Sequence, residues 1–137
     1  MTVLGLDFGL KRTGLAISNP EESFAMPLET VETSDLLDHL LMVIEQEPFD
    51  RIVLGYPLSI KGHENEMTKA VHDIKALLES RLKVEVILVD ERFSTRGAKR
   101  IARQSGVKWK KGKKLKDEMS ASIILQDYFD FYHSSRQ

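Results

Sequence analysis

Four acidic residues stand where carboxylates do chemistry rather than coat a surface. Asp7 interrupts the apolar opening stretch LGLDFG, Asp90 and Glu91 end the run VEVILV, and Asp117 opens the last helical segment. Burying a lone carboxylate costs several kcal/mol unless a charge or hydrogen-bond donor meets it. Carboxylates that converge need protons or a cation to relieve their repulsion. A hard divalent ion such as Mg2+ takes a few carboxylate oxygens and keeps waters and substrate phosphates as its other ligands. Two such ions about 3.5–4 Å apart can activate a water and stabilise the leaving oxygen in phosphodiester cleavage. Plainer roles stay open for each acid. Asp7 could accept backbone N–H groups from the glycine turn that follows it. Asp117 could favour the helix dipole, worth about 0.3–1 kcal/mol. Asp90 or Glu91 could pair with Arg92 or Arg96.

The charge is unevenly spread. Between Phe93 and Lys116 lie Arg96, Lys99, Arg100, Arg103, Lys108, Lys110, Lys111, Lys113, Lys114 and Lys116, with no acidic residue among them. The rest of the chain holds 10 basic against 21 acidic residues, a net of −11. A segment of +10 on such a body predicts a local site for a polyanion, and an acid cluster beside it suits a nuclease. Trp109 stands among the lysines and could stack on a base, worth about 1–3 kcal/mol, or fold onto the core. Gly106 and Gly112 predict a mobile flap, with a solvated loop as the alternative. The histidines at 39, 63, 72 and 133 lack paired metal-ligand spacing and read as surface residues.

These side chains need elements to position them. Residues 2–8 read as a strand, 13–18 as its hairpin partner, and a third strand falls within 25–31. Thr33 or Ser34 is expected to cap a helix carrying Leu37, Leu40, Leu41 and Ile44. RIVLGYP (51–57) reads as an interior parallel strand. Met67, Ala70, Val71, Ile74, Leu77 and Leu78 form a helical stripe. Another buried strand over 84–91, a helix from Ser94 or Thr95, a Gly- and Lys-rich loop and a last helix over 117–132 complete the chain. The order βββαβαβαα predicts an α/β fold, a five-stranded mixed sheet with helices on both faces. The first strand is apolar on both sides and must be central, with Asp7 near its C-terminal end, where open α/β sheets place their sites. On the last helix Asp117 shares a face with Ala121, Ile124 and Tyr128, which aims it at the sheet.

Four blocks, DFGLKRTGLA (7–16), VLGYPLSIKG (53–62), VDERFST (89–95) and KLKDEMSASIIL (114–125), resemble the signature blocks of the YqgF family, in its order and spacing. Its members are also described as Holliday-junction resolvase-like proteins or pre-16S rRNA nucleases. The resemblance implies an RNase H-like fold and a metal-dependent nuclease, using Mg2+ or Mn2+, that trims the 5′ end of precursor 16S rRNA. It implies Asp7, Glu91 and Asp117 as the metal-binding catalytic acids, and Lys11, Arg92, Ser94 and Thr95 as residues that contact phosphates or order the acids. Arg96, Lys99, Arg100, Arg103, Lys108, Trp109, Lys110, Lys111, Lys113 and Lys114 are the further candidates for nucleic-acid contact.

Composition bounds the rest. At 137 residues, 42% hydrophobic and 30% charged, the chain is expected to form one domain over 1–137. No apolar run reaches the roughly 18 residues of a membrane span, the first residues show no basic region followed by an apolar stretch, so export is not expected, and there is no cysteine. A cytoplasmic protein working on RNA or branched DNA, in company with ribosomal particles, is expected. An ATP-clamping protein of the actin or Hsp70 type would need two duplicated domains, for which the chain is too short. Two rivals remain: a noncatalytic RNA-binding assembly protein, and a four-way-junction resolvase of DNA recombination and repair. The resolvase would require a symmetric dimer, and the helices show no large spare apolar stripe. A monomer or weak homodimer is the expectation.

Overall fold

The computed structural model describes residues 2–56, 65–90 and 116–133. Strands β1 (Thr2–Asp7), β2 (Arg12–Ser18) and β3 (Ala25–Glu32) form an antiparallel meander, followed by α1 (Leu36–Gln46), β4 (Phe49–Tyr56), α2 (Glu66–Leu82), β5 (Glu85–Asp90) and α3 (Asp117–Tyr128). The described strands make one mixed sheet in the order β3-β2-β1-β4-β5, with β1–β4 and β4–β5 parallel. β1 is central because Leu4 and Leu6 on one face and Val3 on the other are all fully buried. Burying each such side chain contributes about 1.5–3 kcal/mol. The expected RNase H-like arrangement is present, with helices on both faces. The helix expected from Ser94 or Thr95, the loop that follows it and the turn at 57–62 lie outside the described residues.

Strand alternation divides the core into two layers. Leu4, Leu6, Leu15, Ile52 and Leu54 face α1 and α2, while Val3, Ala16, Val53 and Val89 face α3. α2 is held at its start by a capping box: Asn65 accepts from the Thr68 amide at 3.1 Å, and the Asn65 amide donates to the Thr68 hydroxyl at 2.9 Å. α3 is buried nearly all round, from Ala121 through Leu125. That fits a helix laid across β1, β2, β3 and β4. Two glycines permit its close approach. A Cβ on Gly5 would lie 2.8 Å from Leu125 Cβ, and a Cβ on Gly14 would lie 1.9 Å from the Asp117 carbonyl oxygen.

Three expectations need correction. Neither Thr33 nor Ser34 caps α1: both sit inside a 3-10 turn, Thr33–Asp35, and α1 begins at Leu36 without a side-chain cap. The buried stripe of α1 runs through Leu36 and Leu40, which leaves Leu41 37% exposed, and in α2 Leu77 is 40% exposed. Apolar residues outnumber the positions that meet the sheet, so periodicity alone could not choose the inner ones. β5 is an edge strand of the described sheet, with Ile87 and Leu88 only half-buried, rather than a fully buried one.

Thr33 is taken up by tertiary contacts instead. Its hydroxyl donates to the Gly9 carbonyl at 2.6 Å and lies 2.9 Å from the hydroxyl of the buried Thr13. Its amide donates to the Lys11 carbonyl at 2.9 Å. These bonds pin the β1–β2 turn that follows Asp7. Thr33→Val keeps the shape but strands a buried hydroxyl and a carbonyl, and should cost about 1–3 kcal/mol in urea unfolding. No helix among the described residues is long and apolar enough to cross a membrane.

Candidate active site

The site is built where the C-terminal end of β1 meets the N-terminal end of α3. Asp7 is the last residue of β1, half-buried, and alternation puts it on the α3 face with Val3 and Gly5. Its cross-strand partner is Gly14. Directly opposed residues in an antiparallel pair have Cα atoms about 4.5–5.5 Å apart. The Asp117 carbonyl occupies the space where a Gly14 side chain would stand. The structure therefore seats the first residue of α3 on the residue facing Asp7, which brings the first and last of the expected acids to one rim of the sheet.

The two acids that open α3 have different surroundings. Asp117 has a side chain 38% exposed, 3.8 Å from Nε of Arg12. Arg12 is itself 65% exposed, so this pair adds at most about 1 kcal/mol. The guanidinium stays available to a phosphate. Glu118 turns away to β3, where the Thr30 hydroxyl donates a short hydrogen bond to its carboxylate. That bond, with help from its own backbone N–H and from Lys116, holds the Glu118 carboxyl below its ordinary 4.5 against the opposing effect of burial. Glu118 ties α3 to the sheet, and Asp117 is left for the rim.

A depressed carboxyl pKa stabilises the fold above the unfolded value, and the contribution is lost as pH falls through the folded one. Glu79 behaves alike, lowered first by its bond from Lys75 at 3.0 Å. The stability conferred by both groups should be complete above about pH 4.5 and decline below it. Glu118→Gln should accordingly show a shallower fall in urea midpoint between pH 5 and pH 3 than the unaltered protein.

The other expected residues divide sharply. Lys11 is exposed on the pinned turn beside Asp7. Asp90 ends β5 opposite Tyr56 and shares its face with Val86 and Leu88, on the α1–α2 side of the sheet, away from Asp7. Glu91, Arg92, Ser94, Thr95, Trp109 and the basic residues from Arg96 to Lys114 lie outside the described residues. Among the described residues no group of three or more Asp, Glu, His or Cys is placed to hold a metal. Among the described histidine side chains, His39 meets Glu29 at 2.5 Å, and His72 meets the Tyr56 hydroxyl at 2.9 Å with the rings edge-on. His63 lies outside the described residues.

Sequence reasoning passed over Arg12, Gly14 and Thr30 and took Thr33 for a helix cap, although each orders this rim. Arg12 and Gly14 fall inside the first signature block, which was a signal. Thr30 and Thr33 give none, because their role depends on contacts far along the chain.

Comparison with known proteins agrees with this geometry. The profile of the RuvX family, described as a Holliday junction resolvase, matches residues 1–131. A protein of Dictyoglomus thermophilum named "Putative pre-16S rRNA nuclease" is 42% identical over 133 residues, 95% of this chain and 96% of that protein. One of the same name from Caldicellulosiruptor saccharolyticus is 40% identical, over 98% of this chain and all of its own length. Among solved structures, Thermus thermophilus RuvC bound to a Holliday junction substrate superposes with a TM-score of 0.68, covering 100% of this chain and 97% of that one. At 16% identity that likeness shows the shared fold. With a family profile running along residues 1–131 and full-length relatives at this level of identity, the chain belongs to the RuvX family, the YqgF family whose blocks its sequence carries.

Proposed function

We propose that this protein is a metal-dependent phosphodiester hydrolase that processes the 5′ end of precursor 16S rRNA. The observation that carries the reading is the seating of Asp117 on Gly14, directly across from Asp7. Two carboxylates brought to one sheet rim can share a divalent cation, a closer counter-charge than the exposed Arg12 that stands 3.8 Å from Asp117. The donors are oxygen only, which fits Mg2+ or Mn2+ rather than a softer metal. Asp7, Asp117 and Glu91 would hold the ion. When bound, the metal supplies activation of water and stabilisation of the leaving oxygen.

The chain's own side chains do the rest. Lys11 and Arg12, on the pinned turn, take the phosphates on either side of the cut. Arg92, Ser94 and Thr95 order the acids or meet phosphate, and the basic segment from Arg96 to Lys114, with Trp109, holds the flanking strand.

Precursor rRNA is favoured over junction DNA because the full-length relatives at about 40% identity carry the rRNA name. The likeness to RuvC is one of fold. On this reading the protein works with ribosomal particles in the cytoplasm. The test compares the unaltered protein and Asp117→Asn on precursor rRNA and on four-way-junction DNA, with and without Mn2+. Metal-dependent cutting of the rRNA that vanishes in the variant supports the reading. Cutting of the junction alone would make it a resolvase. RNA binding without cleavage in either protein would make it a noncatalytic assembly protein.

A further inference from the structure

The turn between β1 and β2 holds an apolar side chain out to solvent beside the candidate active site. Among the described residues Leu10 is the most exposed large apolar side chain, at 71%. Lys11 and Arg12, which follow it, are exposed as well. Each residue spans at most about 3.6 Å, so the Leu10 Cα lies within about 11 Å of the Asp7 Cα. Stacked bases along one strand repeat every ~3.4 Å, which makes that reach about three base steps.

Single exposed apolar residues are ordinary. This one differs in its support. A leucine on a slack loop can fold back onto apolar surface, but here the backbone is fixed on both sides. The Gly9 carbonyl accepts from the Thr33 hydroxyl at 2.6 Å, and the Lys11 carbonyl accepts from the Thr33 amide at 2.9 Å. A Cβ on Gly9 would stand 2.4 Å from the Arg12 carbonyl oxygen, so the turn closes too tightly for a side chain there. Phe8, by contrast, is packed against the core layer under α1 and α2. The turn has one shape, and that shape presents Leu10.

The neighbouring charge decides the class of partner. Arg12 is 65% exposed and meets Asp117 only at 3.8 Å, and Lys11 is exposed beside it. An apolar tip followed by two cations suits a stacked polyanion, with the leucine against base faces and the cations at phosphates. An apolar protein surface pressed on this tip would desolvate the two cations without supplying counter-charge.

We propose that Leu10 is a wedge that enters between two stacked bases of the RNA close to the scissile phosphate and opens that step. The inference rests on the nuclease reading of this rim and extends it to what the site does to its substrate. Opening a step exposes the backbone between the two bases to the carboxylates of Asp7 and Asp117. The contact energy of Leu10 goes into this distortion, so its loss should appear in kcat more than in affinity.

The test binds the full chain, in EDTA, to RNA spanning the 5′ end of 16S rRNA and carrying 2-aminopurine at one position after another. Stacking quenches this base, so an opened step brightens. The unaltered protein should brighten one step, Leu10→Ser should abolish the effect, and Leu10→Met should keep it. With Mn2+ added, Leu10→Ser should lower kcat about tenfold and leave KM within about threefold. Its urea midpoint should be unchanged, because the side chain is exposed. Equal brightening with Leu10→Ser would overturn the proposal. So would a loss of affinity with the brightening intact, which would make Leu10 a simple contact, or a lowered urea midpoint, which would make it part of the core. Brightening that depends on Leu10 in a protein that never cuts RNA would uphold the wedge and overturn the nuclease reading. Metal-dependent cutting with no brightening at any position would do the reverse, and absence of RNA binding would overturn both.

Discussion

Asp7→Asn should lower metal-dependent cleavage of precursor rRNA by more than about a hundredfold, with the fold intact and RNA affinity equal or greater. Loss of an outer-shell partner alone typically costs about 10–100-fold in metal affinity or activity, and a direct ligand should cost more. The substitution keeps the size of the side chain and its place beside Gly14, so thermal stability should change little or rise as a concentrated negative charge is removed. RNA affinity should hold because the basic segment is untouched and repulsion of the phosphate backbone falls. The check pairs single-turnover cleavage with anisotropy titration on the same RNA. Cleavage surviving within a few-fold would remove Asp7 from the chemistry.

Gly14→Ala should be the most damaging change that alters no candidate ligand. The added Cβ would stand 1.9 Å from the Asp117 carbonyl oxygen and 2.7 Å from the Glu118 amide nitrogen. These are backbone atoms that cannot rotate aside, so the start of α3 must lift away. Overpacking of this kind costs about 1–3 kcal/mol and sometimes more. A shift of about 1 Å in a catalytic group can cost about a hundredfold in rate. Gly5→Ala is the matched control. Its Cβ would press on Leu125 at 2.8 Å, in the same helix but two turns further on. Both variants should show lower urea midpoints. If Gly14 acts by placing Asp117, Gly14→Ala loses far more activity than Gly5→Ala at equal loss of stability. Equal losses would mean that general loosening explains both.

Much of the frame was legible because a single physical cause dominates it. β1 is apolar on both sides and can only be central, and that alone fixes which strand end carries Asp7. Asp117 was legible because Ala121, Ile124 and Tyr128 on its face are core residues. Other features depend on contacts that periodicity does not encode. A threonine before a helix reads as a cap, but Thr33 gains more by bonding Gly9 and Thr13 across the hairpin. Gly14 reads as an unremarked strand residue until α3 lies on it. Asp117 and Glu118 are adjacent carboxylates, and only the position of Thr30 on β3 separates an anchor from a candidate ligand. Glu91 was singled out only by the family resemblance, and that Asp90 lies on the face away from Asp7 follows from the alternation of β5.

The central claim is that carboxylates from separate elements share a divalent cation at this rim, and Mn2+ binding tests it without reference to substrate. Mn2+ titrations followed by electron paramagnetic resonance should show saturable binding to the unaltered protein. The affinity should fall more than about tenfold in Asp7→Asn, in Asp117→Asn and in Glu91→Gln alike. Equal Mn2+ affinity in all four proteins would contradict it.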